Sequence, residues 1–322
     1  MKLAVLVAPQ RFEIVEAPVP DVADDEVLVR VSACGVCASE LDVWSGATDA
    51  SYPLHPGHEV SGTVVDRGAK VTAFAPDDRV AVWATGRGFA EYVAVKAEYC
   101  RPAGSLPLRE ALAEPLACSV NAVELADVRL GDDVVLLGAG FMGNLVHKLV
   151  ALRGPRHVIV ADTRPDALDR AAELGATRVV DVRSESLPDA VAELTDGRGA
   201  DVTFEVTGAQ SALATVGDVT RMSGKIALVG YHQGPPRTIP LGHWNWMAFQ
   251  IVNAHFRDVQ TIMRGMTVGM RLATSGRLSL QGLVSHAFPL ERVGDAFATA
   301  VAKPAGFVKA TVALDGGFAE PA

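Results

Sequence analysis

The stretch VVLLGAGFMGNL, residues 134–145, decides the fold. Its first four residues read as a buried strand. Gly138-Ala-Gly140-Phe141-Met142-Gly143 then opens an amphipathic helix. Each glycine has a physical role in a dinucleotide turn. Gly138 admits a tight bend, Gly140 lets the backbone approach a pyrophosphate, and Gly143 lets helix and strand close together. The helix N-terminus, with Phe141 and Met142 in its first turn, then faces the phosphates. The next strand, HVIVAD, ends in Asp162, an acid placed to bond a ribose 2′-hydroxyl. Such an acid repels a 2′-phosphate, which predicts NAD as cofactor. Arg164, two residues on, is able to neutralise that phosphate and leaves NADP open. The alternative is a doubly wound domain without a nucleotide, and the joint presence of strand, helix and acid weighs against it.

Outward from this turn, strands alternate with helical segments: RVVDV, SLPDAVAELTDGRGA, DVTFEVTG, AQSALATVGDVTRMSG and KIALVG. That alternation implies βαβ units and a parallel sheet. The first third differs. DEVLVRVSAC, HEVSGTVVDRG, DRVAVWA and AEYVAVKAEYC are short β-branched runs punctuated by Gly, Pro and Asp. After residue 283 the chain returns to mixed strand and helix, as if folding back onto the first domain. The expected organisation is a β-rich domain of residues 1–117 and 284–322, with a doubly wound Rossmann domain of 118–283 inserted.

Bulk properties narrow the function. The 322 residues are 49% hydrophobic and 21% charged, enough for two domains with sizeable cores. A net charge of −9 without a basic run makes nucleic acid and anionic membranes poor partners. Four cysteines in a chain this long make no disulfide framework, and a reducing cytoplasm follows as the expected compartment.

Chemistry gathers in ACGVCASELDVWSG (33–46) and YPLHPGHEVSG (52–62). Cys37 and His58 pair a thiolate with an imidazole, suitable zinc donors, and Glu59 or Glu114 in LAEPLACS is able to complete the set with a carboxylate. The competing readings are a small buried hydrophobe for Cys37 and a capped loop residue for His58.

In its joint setting the chain resembles the zinc-dependent medium-chain alcohol dehydrogenases, in the branch that holds sorbitol and threonine dehydrogenases. GVCASEL and PGHEVSGTVVDRGAKVTAFAPDDRVAV carry the resemblance most specifically, supported by EPLACSVNAV and the nucleotide turn. It implies a GroES-like catalytic domain beside the Rossmann domain. Cys37 and His58 match zinc ligands, and Glu59 and Glu114 match acids that are ligands or near-ligands. Ser39 matches the hydroxyl that relays the alcohol's proton, and Glu40 an acid that supports the ligand His. Val206 and Thr207 match the segment at the nicotinamide, and Lys309 a basic position near the cofactor phosphates. Cys34 is then strand-end filler, since a redox pair needs an electropositive helix start that the sequence does not suggest. The resemblance also implies one catalytic Zn²⁺ per chain, a hydroxylated small-molecule substrate and a homodimer or homotetramer.

Three departures stand out. VAVWATGRGFAEYVAV runs through without the four-cysteine structural-zinc lobe that many relatives carry. Asp42 stands where the family often has His, and His55 is an extra imidazole read as pocket lining. Within 230–258, His232, His243, Trp244, Trp246, Asn253 and His255 read either as interface packing or as a polar, aromatic substrate wall. The implied reaction is hydride transfer between nicotinamide and a secondary alcohol of a polyol, sugar or cyclitol. Its rivals are a zinc-free quinone or enoyl reductase on the same fold and a non-catalytic nucleotide-binding regulator.

Overall fold

The computed structural model describes residues 1–232 and 234–314, so the last eight residues of the expected C-terminal segment lie outside it. The chain divides into two compact units, Met1–Ala117 with Ile262–Ala322, and Cys118–Thr261.

The first unit opens with seven strands: β1 (Lys2–Ala8), β2 (Arg11–Glu16), β3 (Glu26–Gly35), β4 (Glu59–Arg67), β5 (Arg79–Trp83), β6 (Tyr92–Lys96) and β7 (Cys100–Pro102). Helix α1 (Ala38–Ser45) follows β3, and α2 (Ala113–Ala126) runs into the second unit. There, β8 (Asp133–Leu137), α3 (Phe141–Ala151), β9 (His157–Asp162), α4 (Pro165–Glu173) and β10 (Arg178–Asp181) form the first half. The second half holds α5 (Leu187–Leu194), β11 (Ala200–Glu205), α6 (Gln210–Val219), β12 (Thr220–Leu228), α7 (Leu241–Trp246) and β13 (Gln250–Asn253). The chain ends through α8 (Val259–Thr274), β14 (His286–Pro289), α9 (Val293–Ala302) and β15 (Ala310–Ala313).

In the first unit β1 and β2 form an antiparallel hairpin. The larger sheet runs β14-β15-β3-β4-β5-β7, with β6 also paired to β3. Its strands bury alternate residues such as Val27, Val29 and Val31, the period-2 pattern of the sequence made physical. Phe297 of α9 closes the core, with the rings of Phe12, Trp44 and Phe89 at centroid distances of 5.1, 5.8 and 5.6 Å. The run AEYVAVKAEYC, single in the sequence, is divided into β6 and β7 by a 3-10 turn at Ala97–Tyr99.

The described residues of the second unit form six parallel strands in the order β10-β9-β8-β11-β12-β13. Helices α3, α4, α5 and α6 pack on it. This is the doubly wound order, and its direction reverses between β8 and β11. Two sequence expectations need correction. Residues 220–224, read as helix, begin β12 instead. Thr220 Oγ1 lies 2.6 Å from the carbonyl of Val216 and 2.7 Å from Thr203 Oγ1, and Ser223 takes φ of 57°, so the helix cannot continue. The unit also ends at Thr261 rather than at 283. Helix α8 buries Met263, Met266 and Met270. Within the first unit Thr267 Oγ1 accepts from Arg101 Nε at 2.7 Å, and a side chain at Gly269 would meet Leu116 at 2.5 Å.

At the amino ends of the parallel strands lies a charged anchor. Fully buried Asp133 accepts from Arg156 Nε at 2.9 Å and Arg198 Nη2 at 2.7 Å, and lies 3.0 Å from His157 Nδ1. Burial alone would raise its pKa, but the two guanidiniums and the imidazole hold it below the usual carboxylate range. Asp201 bonds Arg198 and Arg221 beside it.

His147, on α3, is 2% exposed. Burial, and secondarily Lys148, lowers its pKa from 6.5 to about 4. A buried imidazole with a lowered pKa stays neutral in the fold but takes up a proton on unfolding. Its contribution to stability is therefore present above pH 6.5 and is lost as pH falls from 6.5 towards 4. Between pH 7 and 5 the loss amounts to about 2 kcal/mol. Substituting His147→Leu is expected to flatten the denaturant-unfolding free energy across that interval by about this amount, measured on cofactor-free protein.

Candidate metal centre and nucleotide site

Strand β3 delivers Cys34, Gly35 and, two residues past its end, Cys37. The two thiols have opposite surroundings. Cys34 is fully buried, and burial, reinforced by Glu40 and Glu59, pushes its pKa well above the ordinary thiol value. Cys37 is partly exposed and occupies the N-cap of α1. That helix start was not expected from the sequence. It sets the sulfur at the positive end of a helix, a setting that suits a metal-bound thiolate. Cys34, held as a buried thiol, is no redox partner for it. Ser39 Oγ, in the first turn of α1, donates to Cys37 Sγ at 3.2 Å.

His58 arrives on the loop before β4. Glu40 Oε1 lies 3.0 Å from its Nδ1 and also accepts from the amide of Gly57 at 2.7 Å. With Nδ1 so engaged, Nε2 is left for a metal, the carboxylate–histidine arrangement that fixes tautomer and ring orientation. Burial would lower the His58 pKa, but Glu40 and Cys37 together raise it well above the ordinary value.

Glu59 opens β4 and is 1% exposed. The sheet register pairs it with Gly35, which pairs in turn with Thr311 of β15. A side chain at Gly35 would meet Glu59 Oε2 at 2.0 Å, so only glycine leaves the carboxylate its place. The sequence reading missed this residue, although a glycine between two cysteines near the end of a strand marks a close approach. Across the carboxylate lies Lys309, 6% exposed, with Nζ 2.8 Å from Oε1 and 2.7 Å from Oε2. Burial lowers the lysine's pKa, but Glu59, then Cys37 and Glu114, outweigh it and leave the value raised. Its ammonium is turned to a buried carboxylate of the donor group.

Among the described residues, Cys37, His58 and Glu59 form a group whose donor atoms all lie within 4.8 Å of one another. Donors on one zinc at about 2.0–2.3 Å stand no more than ~4.6 Å apart, so the group is close to the required spread. Three protein donors of mixed S, N and O type leave a fourth position open, the pattern of a catalytic zinc. A carboxylate offers about four lone-pair sites, enough for Glu59 to serve both Lys309 and a metal. The residues fit zinc. Glu114, in the first turn of α2, is outside this group of three, and its charge falls on Lys309. His55 is not in it either; burial lowers its pKa, helped by Arg87.

In the second unit, the turn after β8 lies at the point where strand order reverses, where doubly wound sheets bind ligands. Gly138 has φ of 111° and lies against Thr207, and a side chain at Gly143 would meet the Gly138 carbonyl at 1.9 Å. A side chain at Gly140 would meet nothing of the chain within 4 Å. Its absence therefore clears a cradle at the N-terminus of α3, where Phe141 and Met142 begin the helix, and this fits a dinucleotide. Asp162 ties the turn to the next strand, Oδ2 accepting from Ala139 N at 2.7 Å and Oδ1 from Arg164 N at 2.9 Å. Val206 N donates to the carbonyl of Leu137 at 2.9 Å, which places 206–207 beside the turn. The two tryptophans read as interface packing or substrate wall differ in burial. Trp244 is core, 2% exposed against Phe249, whereas Trp246 is 79% exposed.

The alcohol dehydrogenase GroES-like domain family matches residues 23–105, and the zinc-binding dehydrogenase family matches 142–271. Sorbitol dehydrogenase of Gallus gallus is 32% identical, over 88% of this chain and 88% of its own. The chain belongs to the zinc-type medium-chain dehydrogenase family. Another member, L-threonine 3-dehydrogenase of Ruegeria pomeroyi, is 29% identical over 88% of this chain and 91% of its own. Among solved structures, an Escherichia coli oxidoreductase/dehydrogenase of unknown specificity superposes with a TM-score of 0.88 at 25% identity, covering 98% of this chain and 99% of that one. The dehydrogenase fold is thus a GroES-like β-rich domain joined to a doubly wound Rossmann domain.

For this dehydrogenase, Glu40→Ala removes the acceptor shared by His58 and Gly57 and is expected to weaken zinc binding about 10–100-fold. Glu40→Gln keeps an acceptor oxygen and should lose less. Competition with a chromogenic chelator measures both.

Proposed function

We propose that this enzyme oxidises a secondary alcohol of a polyol, sugar or cyclitol, or reduces the matching ketone, with NAD(P) as hydride partner. The observation that carries the reading is the convergence of Cys37, His58 and Glu59 beside Ser39, in a chain 32% identical to a sorbitol dehydrogenase.

When bound, zinc supplies the Lewis acidity that lowers an alcohol's pKa, and nicotinamide supplies the hydride acceptor. The chain's own residues do the rest. Cys37, His58 and Glu59 hold the metal, and Glu40 fixes the imidazole. Ser39, within hydrogen-bond reach of the donor group, takes up the alcohol's proton and passes it outward. A carboxylate in place of a further thiolate gives a harder metal, suited to a substrate offering two oxygens. Gly138, Gly140, Phe141, Met142 and Gly143 cradle the pyrophosphate. Val206 and Thr207 border the nicotinamide, and Asp162 takes the ribose hydroxyls and favours NAD, with Arg164 the residue that would admit NADP.

Assembly as a homodimer or homotetramer is part of the same reading. Strand β13 is the outermost of its sheet, Ile251 on it is 42% exposed, and an open apolar edge invites pairing. No described helix is long and apolar enough to cross a membrane. The four cysteines are all free, which supports a reducing cytoplasm.

A dehydrogenase screen over polyols, cyclitols, amino alcohols and sugar derivatives, with both cofactors, tests the reading. Turnover of polyols with NAD and one zinc per chain is expected, with both zinc and turnover lost in Cys37→Ser. Full activity and metal content in Cys37→Ser would refute it. Glu59 and Glu114 separate in the same assays. Glu59→Ala is expected to lose zinc as well as rate, whereas Glu114→Gln, acting through Lys309, keeps zinc and alters rate alone.

A further inference from the structure

The mechanism uses no part of a buried carboxylate that stands at the reversal point of the parallel sheet. Glu205 is the last residue of β11 and is fully buried. Its Oε1 accepts from the amides of Thr207 at 2.7 Å and Gly208 at 2.9 Å, and from the Thr207 hydroxyl. Its Oε2 lies 2.7 Å from Nε2 of His232, a residue of the loop that follows β12. Its carbonyl accepts from the amides of Val229 at 2.8 Å and Gly230 at 2.9 Å. One residue thus holds two loops, the one after β11 and the one after β12.

The packing leaves those loops little freedom. A side chain at Gly230 would meet Gly208 N at 2.2 Å and Glu205 Oε2 at 2.3 Å. One at Gly208 would meet the carbonyl of Tyr231 at 2.7 Å. The loop after β11 in turn sets the nucleotide turn, because Gly138 packs against Thr207 and Val206 N is bonded to Leu137. The chain of contacts therefore runs from His232 through Glu205 and Thr207 to Gly138. His255 Nε2, 3.0 Å from the carbonyl of Gly230, steadies the far side.

We propose that Glu205 and His232 are a positioning pair for the cofactor: the imidazole holds the carboxylate, and the carboxylate fixes the 206–208 backbone against the glycine turn. The pair itself touches no reacting atom. The inference rests on the reading that a nicotinamide cofactor binds at the 138–143 turn. A purely structural role would make the same residues matter for stability alone, and the two roles separate in cofactor affinity.

The test is fluorescence titration of the full chain with NADH in the absence of alcohol, beside thermal unfolding and steady-state kinetics. His232→Ala is expected to raise the NADH dissociation constant and the KM for NAD about tenfold, leaving the KM for the alcohol and the zinc content within twofold. His232→Gln, which keeps a nitrogen donor towards Glu205, should recover most of the affinity. Because Glu205 is fully buried and its removal threatens folding, the partly exposed His232 bears the test. Wild-type affinity in a folded His232→Ala, whatever its melting temperature, would overturn the proposal. A wild-type protein that fails to bind NADH would instead overturn the cofactor reading on which it stands.

Discussion

A carboxylate and an ammonium meet out of water inside the β-rich unit, and the metal-donor group is arranged around them. Glu59 and Lys309 are 250 residues apart in the chain, yet Nζ stands 2.8 Å from Oε1. Neither charge is tolerable there alone, since removing one partner from a buried pair typically costs about 3–5 kcal/mol. Satisfying both requires β3, β4 and β15 in one register, with glycine at 35 to admit the carboxylate. The returning C-terminal segment is thus part of the site's chemistry as well as of its sheet.

The two units solve a similar problem with different materials. In the first, donor atoms are side chains that converge from a helix start and a strand start, each supported by a neighbour: Ser39 on Cys37, Glu40 on His58, Lys309 on Glu59. In the second, the binding surface is largely backbone, and carboxylates shape it. Asp162 braces one side of the glycine turn and Glu205 the loop opposite. A surface made of amides can approach a pyrophosphate closely only if something rigid stands behind it.

Local signals in the sequence were sufficient for what depends on local spacing. The glycine fingerprint, the alternating strands and the Cys37–His58 pair all rest on residues near one another or on a periodicity. What escaped the sequence depends on partners brought together by the fold. Nothing in GFVKATV says that Lys309 faces Glu59, and nothing in GVCASEL shows that Cys37 caps a helix. Trp244 read as interface packing or substrate wall, but Gly217 opens a slot in the core for its indole ring. The boundary near 261 was hidden for the same reason. Helix α8 is amphipathic wherever it packs, and only tertiary contacts such as Arg101 to Thr267 assign it to the first unit.

The ionic anchor around Asp133 lies at the amino ends of the same strands whose carboxyl ends carry the nucleotide turn and Glu205. Cohesion and recognition are therefore placed at opposite rims of one sheet. Substitutions at separated positions without shared partners combine nearly additively. A lineage of such chains can then alter its choice of cofactor at one rim while its robustness, held at the other, is left intact, and the fold becomes a substrate for evolutionary change without first having to be rebuilt.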